Sequence, residues 1–473
     1  MNSFYQLNLA VLASGNAYLL YRQYKREQKP AVAQHEPIPH TPTSTDSDSD
    51  RDVELEHDTG NGAGLAASKE AVRKFQWDFF LVYALAVAAD WLQGPHIYAI
   101  YKYEKQIPEK IVAALYAAGF ISGAISASFA GELADRHGRR LACLVYCGMY
   151  VVTCATMFSS NLVVLFVGRL AGGVSTTLLF SVFEAWMITE YHSRGLAASE
   201  LKLSSVFGYM TTLSCVVAIV SGVVGDVLVS YLGGRVWPFV ASIGCSFGAA
   251  WFIVKTWREN FGTKSITPNT LRDVRSGITT IISDVRIFSL GITSCFFEGA
   301  MYLFIFFWSA ALKSARVHGG GPLADEDLPY GLIFSCFMCA MMGGSAFFGL
   351  FSANHNRDTA AYVLMSVTLL ASACLSAAVL LENEIGLFWA LCAIEASIGA
   401  YFPSMALLKS EVVEDGVRGR VYSILRFPLN VFVVVVHSLD QEGDEHRNRV
   451  FMMLAALLML AFFVVKRNLG PSK

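Results

Sequence analysis

Long apolar segments separated by short polar ones dominate the hydrophobic pattern of this chain. A helix needs about 20 consecutive apolar residues to cross the hydrocarbon core of a bilayer. Thirteen segments approach that length, at residues 3–21, 79–100, 111–130, 141–158, 162–184, 203–225, 236–254, 288–312, 330–352, 360–381, 385–408, 421–438 and 450–465. The pattern therefore predicts an all-α integral membrane protein whose helices cross the bilayer many times.

The first apolar segment stands apart from the other twelve. Basic residues from Arg22 to Arg26 follow it and none precedes it, which is the reverse of a secretory signal. The polar, acidic stretch that comes next buries too little surface to offset its ordering entropy. We predict an N-terminal anchor helix at 1–27, with its N-terminus outside the cell, and a disordered acidic linker at 28–75. A helix lying on the membrane surface is the alternative for the first segment.

The remaining twelve segments divide into two groups of six around a basic central stretch. Apolar residues from Leu271 to Val285 recur there at helical spacing, which predicts an amphipathic helix on the membrane surface. We predict one six-helix bundle at 76–254, a cytoplasmic linker at 255–287 and a second six-helix bundle at 288–467.

The distribution of Lys and Arg indicates one orientation of this helical core. Cytoplasmic loops of membrane proteins carry an excess of these residues. If residues 22–76 and 131–140 are placed inside and the segments alternate, 26 of the 36 Lys and Arg residues lie inside. Eight lie outside, and two lie within helices. Both ends of the twelve-helix core are therefore predicted to be cytoplasmic.

The composition excludes several classes of function. Only 16% of the residues are charged, whereas soluble domains carry about 25%, and no basic tract suits nucleic acid. All ten cysteines lie within apolar segments, which is typical of packing residues rather than of disulfides or metal ligands. Phosphate-binding, metalloprotease and serine-hydrolase motifs are missing from the sequence. We therefore predict no enzyme activity, no cofactor and no metal site.

Six ionisable residues fall inside predicted membrane segments, where a charged side chain costs about 2.5–3.5 kcal/mol. They are Asp90, Arg169, Glu184, Glu298, Glu395 and Arg426. Asp90 and Glu298 lie in the first helix of each half, so pseudo-symmetry would make them counterparts. We predict that several of these groups line a central water-filled cavity. Buried structural ion pairs are the alternative, and for Arg169 both interpretations stay open.

The acids among these six residues outnumber the bases by four to two. Burial disfavours the ionised form of an unpaired carboxylate, so such a group tends to bind a proton. We therefore predict that a proton is the coupling ion, taken up by Asp90, Glu298 or Glu395.

A glycine-turned, charged run joins two apolar segments at the predicted cytoplasmic surface: Gly131-Glu132-Leu133-Ala134-Asp135-Arg136-His137-Gly138-Arg139-Arg140. This run resembles the loop between helices 2 and 3 of the major facilitator superfamily, with the pattern G-x-L-x-D-R-x-G-R-R. The resemblance implies the major facilitator fold, with 12 core transmembrane helices in two six-helix bundles, preceded here by an extra N-terminal apolar helix. It also implies a conformational latch formed by Gly131, Asp135, Arg136, Gly138, Arg139 and Arg140, which would hold the cytoplasmic side shut when a carrier opens outward.

Several shorter runs resemble a narrower group, the eukaryotic molybdate-anion transporter family. They are Ala89-Asp90-Trp91-Leu92-Gln93, Gly168-Arg169-x-x-Gly172-Gly173, Phe183-Glu184-Ala185-Trp186 and Tyr401-Phe402-Pro403-Ser404-Met405. The resemblance covers most of residues 76–467 and includes the extra N-terminal segment. It implies uptake of molybdate from outside the cell, across the plasma membrane.

The residues fit an oxyanion only in part. A tetrahedral dianion is bound by Arg or Lys together with hydroxyl and amide donors. The surplus of carboxylates by itself favours a cation-coupled or proton-coupled solute. We predict secondary active uptake of molybdate by alternating access, with protonated carboxylates or proton symport resolving this conflict. The candidate substrate and coupling residues are Asp90, Gln93, Arg169, Glu298, Glu395, Ser404, Arg426 and Asn430.

Two other functions stay open. A non-transporting membrane sensor would keep the fold and signal through the acidic linker or the central stretch. A carrier for a sugar, a drug or another oxyanion is the second alternative, and Trp91, Gln93 and Tyr401 would suit a sugar site. The segment Ser221–Gly225 lacks the proline of the antiporter motif, which argues against drug–proton exchange. The predicted partners are a small inorganic anion, protons and the lipid bilayer, without nucleic acid.

Overall fold

The structure is a computed structural model that describes residues 2–27, 60–196, 199, 201–262, 278–319, 326–351, 357–413, 418–439, 441 and 443–470. Fourteen helices of eight residues or more occur in these ranges. They are α1 (Asn2–Glu27), α2 (Gly60–Gln93), α3 (Glu109–Ala127), α4 (Ala130–His137), α5 (Arg139–Ala155), α6 (Leu162–Ser193), α7 (Leu203–Leu232), α8 (Trp237–Thr256), α9 (Val285–His318), α10 (Tyr330–Phe351), α11 (Arg357–Leu380), α12 (Glu384–Val412), α13 (Arg418–Ser438) and α14 (Asp444–Asn468).

The prediction of an all-α membrane protein is confirmed, and the chain is a multi-pass membrane protein. Eleven of the helices in the described ranges are long and apolar enough to cross a bilayer. Helices α1 and α13 are not among them, although both were predicted as apolar segments. Within α13 the shorter part Ile424–Ser438 is apolar.

The core helices form two groups that correspond to the two halves of the sequence. Helices α2, α3 and α5–α8 pack together as the N-terminal bundle, and α9–α14 form the C-terminal bundle. The two bundles meet mainly where α7 packs on α10 and where α3 packs on α13. We call helix ends that are predicted to face the cytoplasm inner ends, and the opposite ends outer ends.

The start of α2 differs from the sequence prediction. Residues 60–75 were assigned to the disordered linker, but they are helical, since α2 begins at Gly60. Ala, Lys and Glu, which are strong helix formers, are frequent between Leu65 and Val72. Phe75 then packs edge-on against Tyr191 of α6, with ring centroids 6.2 Å apart. Residues 28–59 and 263–277, which hold the rest of the predicted linker and most of the predicted amphipathic helix, lie outside the described residues.

Helix α1 packs along α10 of the C-terminal bundle. The Cys336 thiol lies 3.6 Å from the Tyr5 carbonyl oxygen, and the Asn16 side-chain amide donates to the Cys339 carbonyl at 2.7 Å. The residue nearer the start of α1 contacts the residue nearer the start of α10, and the later residue contacts the later one, so the two helices run parallel. Because α10 runs from its outer to its inner end, this direction supports the predicted orientation of α1 with its N-terminus outside.

Glycines let the backbones of α3 and α6 approach closely within the N-terminal bundle. A Cβ atom added at Gly173 of α6 would lie only 2.7 Å from the Gly123 backbone nitrogen and would also overlap the Gly119 carbonyl of α3. Small residues at such positions let membrane helices pack by van der Waals contact.

We expect Gly173→Ala to lower the free energy of unfolding by about 1–3 kcal/mol, because the added methyl group overfills this contact. The matched control is Gly148→Ala on α5, where a Cβ would have no neighbour within 4 Å. It should be neutral or stabilising by up to about 1 kcal/mol, because alanine favours the helix. Thermal unfolding of the purified proteins in detergent, followed by size-exclusion fluorescence, measures both. Equal midpoints for the two variants would contradict the close packing.

Candidate functional site

Asp90 and Gln93, two of the predicted site residues, share one partner in the N-terminal bundle. The Tyr150 hydroxyl of α5 donates to Asp90 Oδ1 at 3.0 Å, and Gln93 Nε2 donates to the same hydroxyl at 2.8 Å. Asp90 keeps part of its surface exposed, whereas Gln93 is buried. A carboxylate, an amide and a phenol are therefore held in one hydrogen-bonded group near the outer end of α2.

Arg169 of α6 lies close to this group but does not pair with a carboxylate among the described residues. Its guanidinium carbon lies over the Tyr116 ring at 4.9 Å, a cation–π contact, and its Nε donates to the Leu115 carbonyl at 3.4 Å. Asp90 is near enough to interact with it electrostatically. The buried structural ion pair considered for Arg169 is thus not formed within the described part of the chain.

In the C-terminal bundle, Glu298 of α9 is held by two hydroxyl groups. Glu298 Oε1 accepts hydrogen bonds from Ser294 at 3.1 Å and from Tyr401 of α12 at 3.0 Å. The Tyr401 ring is positioned in turn by stacking on Phe297, with centroids 4.0 Å apart and planes 6° from parallel. Glu298 remains half-buried.

Two cations lie near Glu298. Arg426 of α13 is exposed, and Lys409 of α12 interacts electrostatically with both Glu298 and Arg426. The Tyr302 side chain lies within reach of Glu298 and Arg426 as well. Lys409 was missed by the sequence reasoning, because the apolar segment was predicted to end at residue 408. The helix continues to Val412, so Lys409 lies within it, with its ammonium group 5.6 Å from the Tyr422 ring centroid.

Three further predicted site residues lie on α12 and α13. Glu395 is buried and follows Phe388 by two helical turns, on the side of α12 where Phe388 contacts Tyr5 of α1. The Ser404 hydroxyl is buried and donates to the Ala400 carbonyl at 2.7 Å. Asn430 is half-buried, and its side chain makes no hydrogen bond with other described residues. Glu298 and Arg426 therefore share two electrostatic partners, Lys409 and Tyr302, whereas the Ser404 hydroxyl bonds within its own helix.

Polar contacts join the two bundles at their outer ends. Arg235, between α7 and α8, is only 8% exposed. Its backbone N–H donates to Glu104 at 3.0 Å, and its guanidinium pairs with Asp327 of the C-terminal bundle. The Ser335 hydroxyl of α10 donates to the Ile219 carbonyl of α7 at 2.8 Å.

Helix α10 is also held at its first turn by the N-terminal bundle. The Asp226 carboxylate of α7 faces the backbone N–H groups of Gly331 and Leu332, which have no partner within the helix. A Cβ at Gly222 would lie 2.6 Å from the Gly331 carbonyl oxygen. The two backbones therefore touch here without room for a side chain.

Aromatic rings continue this contact toward the middle of the molecule. Tyr116 of α3 meets Phe306 of α9 edge-on at 5.0 Å, and Phe120 meets Tyr302 at the same distance. His437 of α13 stacks on Tyr116, with centroids 6.5 Å apart. We call these rings, the Arg235–Asp327 ion pair and the contact between α7 and α10 the outer closure.

The predicted latch lies at the inner end of the N-terminal bundle, where residues 130–137 form the short helix α4 and not a loop. Asp135 Oδ1 accepts from Arg139 Nε at 2.7 Å, and the Arg139 guanidinium donates to the Ala185 carbonyl at 3.0 Å. Arg136 pairs with Glu132 on the surface of α4. Gly131 has open space around it.

The residues that follow α8 hold the junction between α4 and α5. Glu259 accepts from the backbone N–H of Arg140 at 2.7 Å and of Leu141 at 3.2 Å, and so caps the start of α5. Gly138 has φ +114°, and a Cβ there would collide with the Glu259 carboxylate. These partners of the latch segment belong to the N-terminal bundle or to the residues directly after it.

Comparison with known proteins adds to this picture. Residues 54–392 match a family described as sugar transporters with 12 transmembrane segments. The molybdate-anion transporter of Takifugu rubripes is 30% identical, with 85% of this chain and 90% of that protein covered. The protein of the same name from Xenopus tropicalis is 29% identical, with 85% and 89% covered. The matched proteins are transporters, which confirms the expectation that this chain is not an enzyme.

Solved structures share the fold. The nucleoside transporter NupG superposes with a TM-score of 0.66 at 12% identity, with 82% of this chain and 99% of that chain covered. A D-xylose–proton symporter superposes with a TM-score of 0.60 at 12% identity, with 86% and 98% covered. At these identities the likeness concerns the arrangement of helices alone.

We expect Asp327→Asn to open the outer closure more often, because it removes the charge that pairs with Arg235. The Asp327 side chain is 57% exposed, and exposed ion pairs contribute about 0–1 kcal/mol, so the effect should reach about fivefold. A cysteine introduced at buried Ser335 reports opening through its labelling by a membrane-impermeant maleimide on intact cells. The control Glu326→Gln, whose side chain has no ion pair with described residues, should label at the parent rate.

Proposed function

The chain belongs to the molybdate-anion transporter family of the major facilitator superfamily, and we propose that it carries molybdate into the cell across the plasma membrane by alternating access. The observation that carries this proposal is the cluster of Lys409, Arg426 and Glu298 in the C-terminal bundle. Two cations beside hydroxyl donors suit a tetrahedral dianion. Lys409 also reduces the excess of acids over bases that the sequence alone indicated for the membrane segments.

We propose the following roles for the side chains of this cluster. Arg426 and Lys409 neutralise the two charges of molybdate, and the Tyr401 and Ser294 hydroxyls turn from the carboxylate toward its oxygens. An ionised Glu298 repels the dianion, whereas a protonated one donates a hydrogen bond to it. A proton on Glu298 therefore travels with each molybdate ion, which makes the carrier a proton symporter. Asp90, hydrogen-bonded to Tyr150, is the corresponding group of the N-terminal bundle.

The described conformation corresponds to the step in which the carrier releases its cargo inward. The outer closure joins the bundles on the outer side, while Arg426 keeps an exposed side chain. In the opposite step the outer closure separates, and the latch segment around Asp135 holds the inner ends of the bundles together. That segment is ready for the role, because Glu259 and Gly138 fix its geometry within the N-terminal bundle.

A sugar carrier is less well supported by the same contacts. A sugar site needs an open aromatic face, but the Trp91 ring lies against Phe334 of α10, with centroids 5.7 Å apart. Its indole N–H is directed to Ser214 at 3.3 Å. The Trp91 ring thus has a protein ring beside it and its N–H is hydrogen-bonded within the protein, and an oxyanion fits the charged cluster better.

Uptake of radiolabelled molybdate into proteoliposomes tests the proposal. Unlabelled tungstate should compete strongly, sulfate more weakly and sugars not at all. Arg426→Gln and Lys409→Gln should each lower the ratio of maximal rate to KM by about 10- to 100-fold, since each removes a charged hydrogen bond to the ion. Arg467→Gln, which removes an exposed cation at the inner end of α14, is the control and should transport normally.

The same vesicles separate molybdate transport from proton coupling. An acidic exterior should accelerate uptake by the parent protein, and Glu298→Gln should transport without responding to the gradient. Uptake that ignores the gradient in the parent would exclude the coupling and leave the substrate proposal intact. Competition by sugars, without any molybdate uptake by folded protein, would overturn the substrate proposal.

Asp135→Ala should shift the balance between outward-facing and inward-facing states and lower the maximal uptake rate several-fold, because Arg139 loses its carboxylate partner. Glu132→Ala removes an exposed ion pair one turn earlier in α4, so it should leave the rate within about a factor of two. Initial rates of uptake at saturating molybdate measure both variants. Identical kinetics for Asp135→Ala and the parent would count against the latch.

A further inference from the structure

A buried charge cluster joins the extra helix α1 to the outer end of the C-terminal bundle. The Glu384 carboxylate of α12 accepts two hydrogen bonds from Arg316 of α9, from Nε at 3.0 Å and from Nη2 at 2.7 Å. The Tyr5 hydroxyl of α1 donates to the same carboxylate. All three residues are buried, and Tyr5 is 0% exposed.

The stability of the Arg316–Glu384 ion pair depends on the further hydrogen bonds that its two side chains make. A buried ion pair is stable only where further hydrogen bonds satisfy the remaining polar atoms. On the carboxylate side Tyr5 supplies the additional donor. On the guanidinium side Arg316 Nη1 donates to the Asp327 carbonyl at 2.9 Å, so the pair holds the backbone that leads into α10.

That backbone carries one half of the outer closure. The Asp327 carbonyl accepts from Arg316, and the Asp327 carboxylate pairs with Arg235 of the N-terminal bundle. A continuous series of contacts therefore runs from Tyr5 through Glu384 and Arg316 to Asp327, and from there across the bundle interface.

We propose that α1 positions the outer closure and that Tyr5 is the positioning residue. With its hydroxyl in place, Glu384 and Arg316 hold Asp327 where Arg235 can reach it. Without the hydroxyl, Arg316 is less firmly oriented, Asp327 moves more freely, and the outer side opens more often. This role extends the proposed function. It rests on that function in one respect only, namely that a carrier opens and closes its outer side.

The docking of α1 is separable from this effect. The Tyr5 ring packs edge-on against Phe388 at 5.2 Å, so a phenylalanine keeps the packing and loses only the donor. Asn16 binds α10 at the Cys339 carbonyl, where it touches neither Glu384 nor Arg316. Tyr18, 60% exposed on the same helix, offers the same chemical change at a hydroxyl that has no hydrogen-bond partner among the described residues.

The test uses the full chain with cysteine in place of Ser335 as the reporter of outer opening. Tyr5→Phe should accelerate labelling by the impermeant maleimide about fivefold, the equivalent of one hydrogen bond of roughly 1 kcal/mol. Tyr18→Phe should label at the parent rate. Asn16→Ala, which weakens docking alone, should also label at the parent rate even where it lowers the unfolding midpoint.

Two results would overturn the proposal. Equal labelling of Tyr5→Phe and the parent would show that the hydroxyl does not act on the outer closure. Equal acceleration by Asn16→Ala would show that α1 acts through docking as a whole and not through Tyr5. Because labelling needs no molybdate, either result leaves the substrate proposal untouched, and a failure of molybdate uptake leaves the labelling comparison intact.

Discussion

The free energy required to remove a charge from water governs how this molecule places its ionisable side chains. Inside a bilayer that requirement is large, and the chain meets it in two ways. Arg316 and Glu384 are buried together and satisfied by further hydrogen bonds, so they act as structure. Asp90, Glu298 and Arg426 keep part of their surface accessible and have hydroxyl groups or other charges as neighbours. In the proposed mechanism, this second kind of group exchanges a protein partner for a solute.

The outer closure illustrates how a carrier remains reversible. Its single ion pair involves a half-exposed aspartate, and its other contacts are ring edges, one hydroxyl and the first turn of a helix. Each contributes little on its own, and exposed ion pairs are weak. A closure of many weak contacts separates without the large barrier that a buried, fully paired charge would impose. Contacts of this kind are weak enough for a bound solute to change the balance between states.

The sequence allowed the fold to be predicted, but only part of the candidate site. Runs of apolar residues were sufficient to predict an all-α, multi-pass membrane protein. Asp90, Glu298 and Arg426 were found because charge is conspicuous within apolar segments. Lys409 was missed because it lies near a helix end, where a hydropathy window cannot tell a loop from a last turn.

Contacts between distant segments were harder still to predict. Arg235 and Asp327 each appear as an ordinary loop charge, and only the packing of α7 on α10 brings them together. The start of α2 was misplaced because polar residues with high helix propensity resemble a linker in composition. Glu395 resembled Glu298 in the sequence, but it is buried, whereas Glu298 is half-buried and held by two hydroxyl groups. Tertiary geometry, rather than residue type, decided each of these cases.

The path of the chain has a mechanical consequence. Helix α1 is packed against the C-terminal half, yet it is encoded ahead of the N-terminal half, so the polypeptide visits one half, then the other, and returns. Helix α1 thus connects the two halves by packing on the half that is encoded last. A protein expressed as two pieces divided between α8 and α9 would carry, on its first piece, a helix whose binding groove lies on the second. Helix α1 would therefore favour association of the two separately synthesised halves.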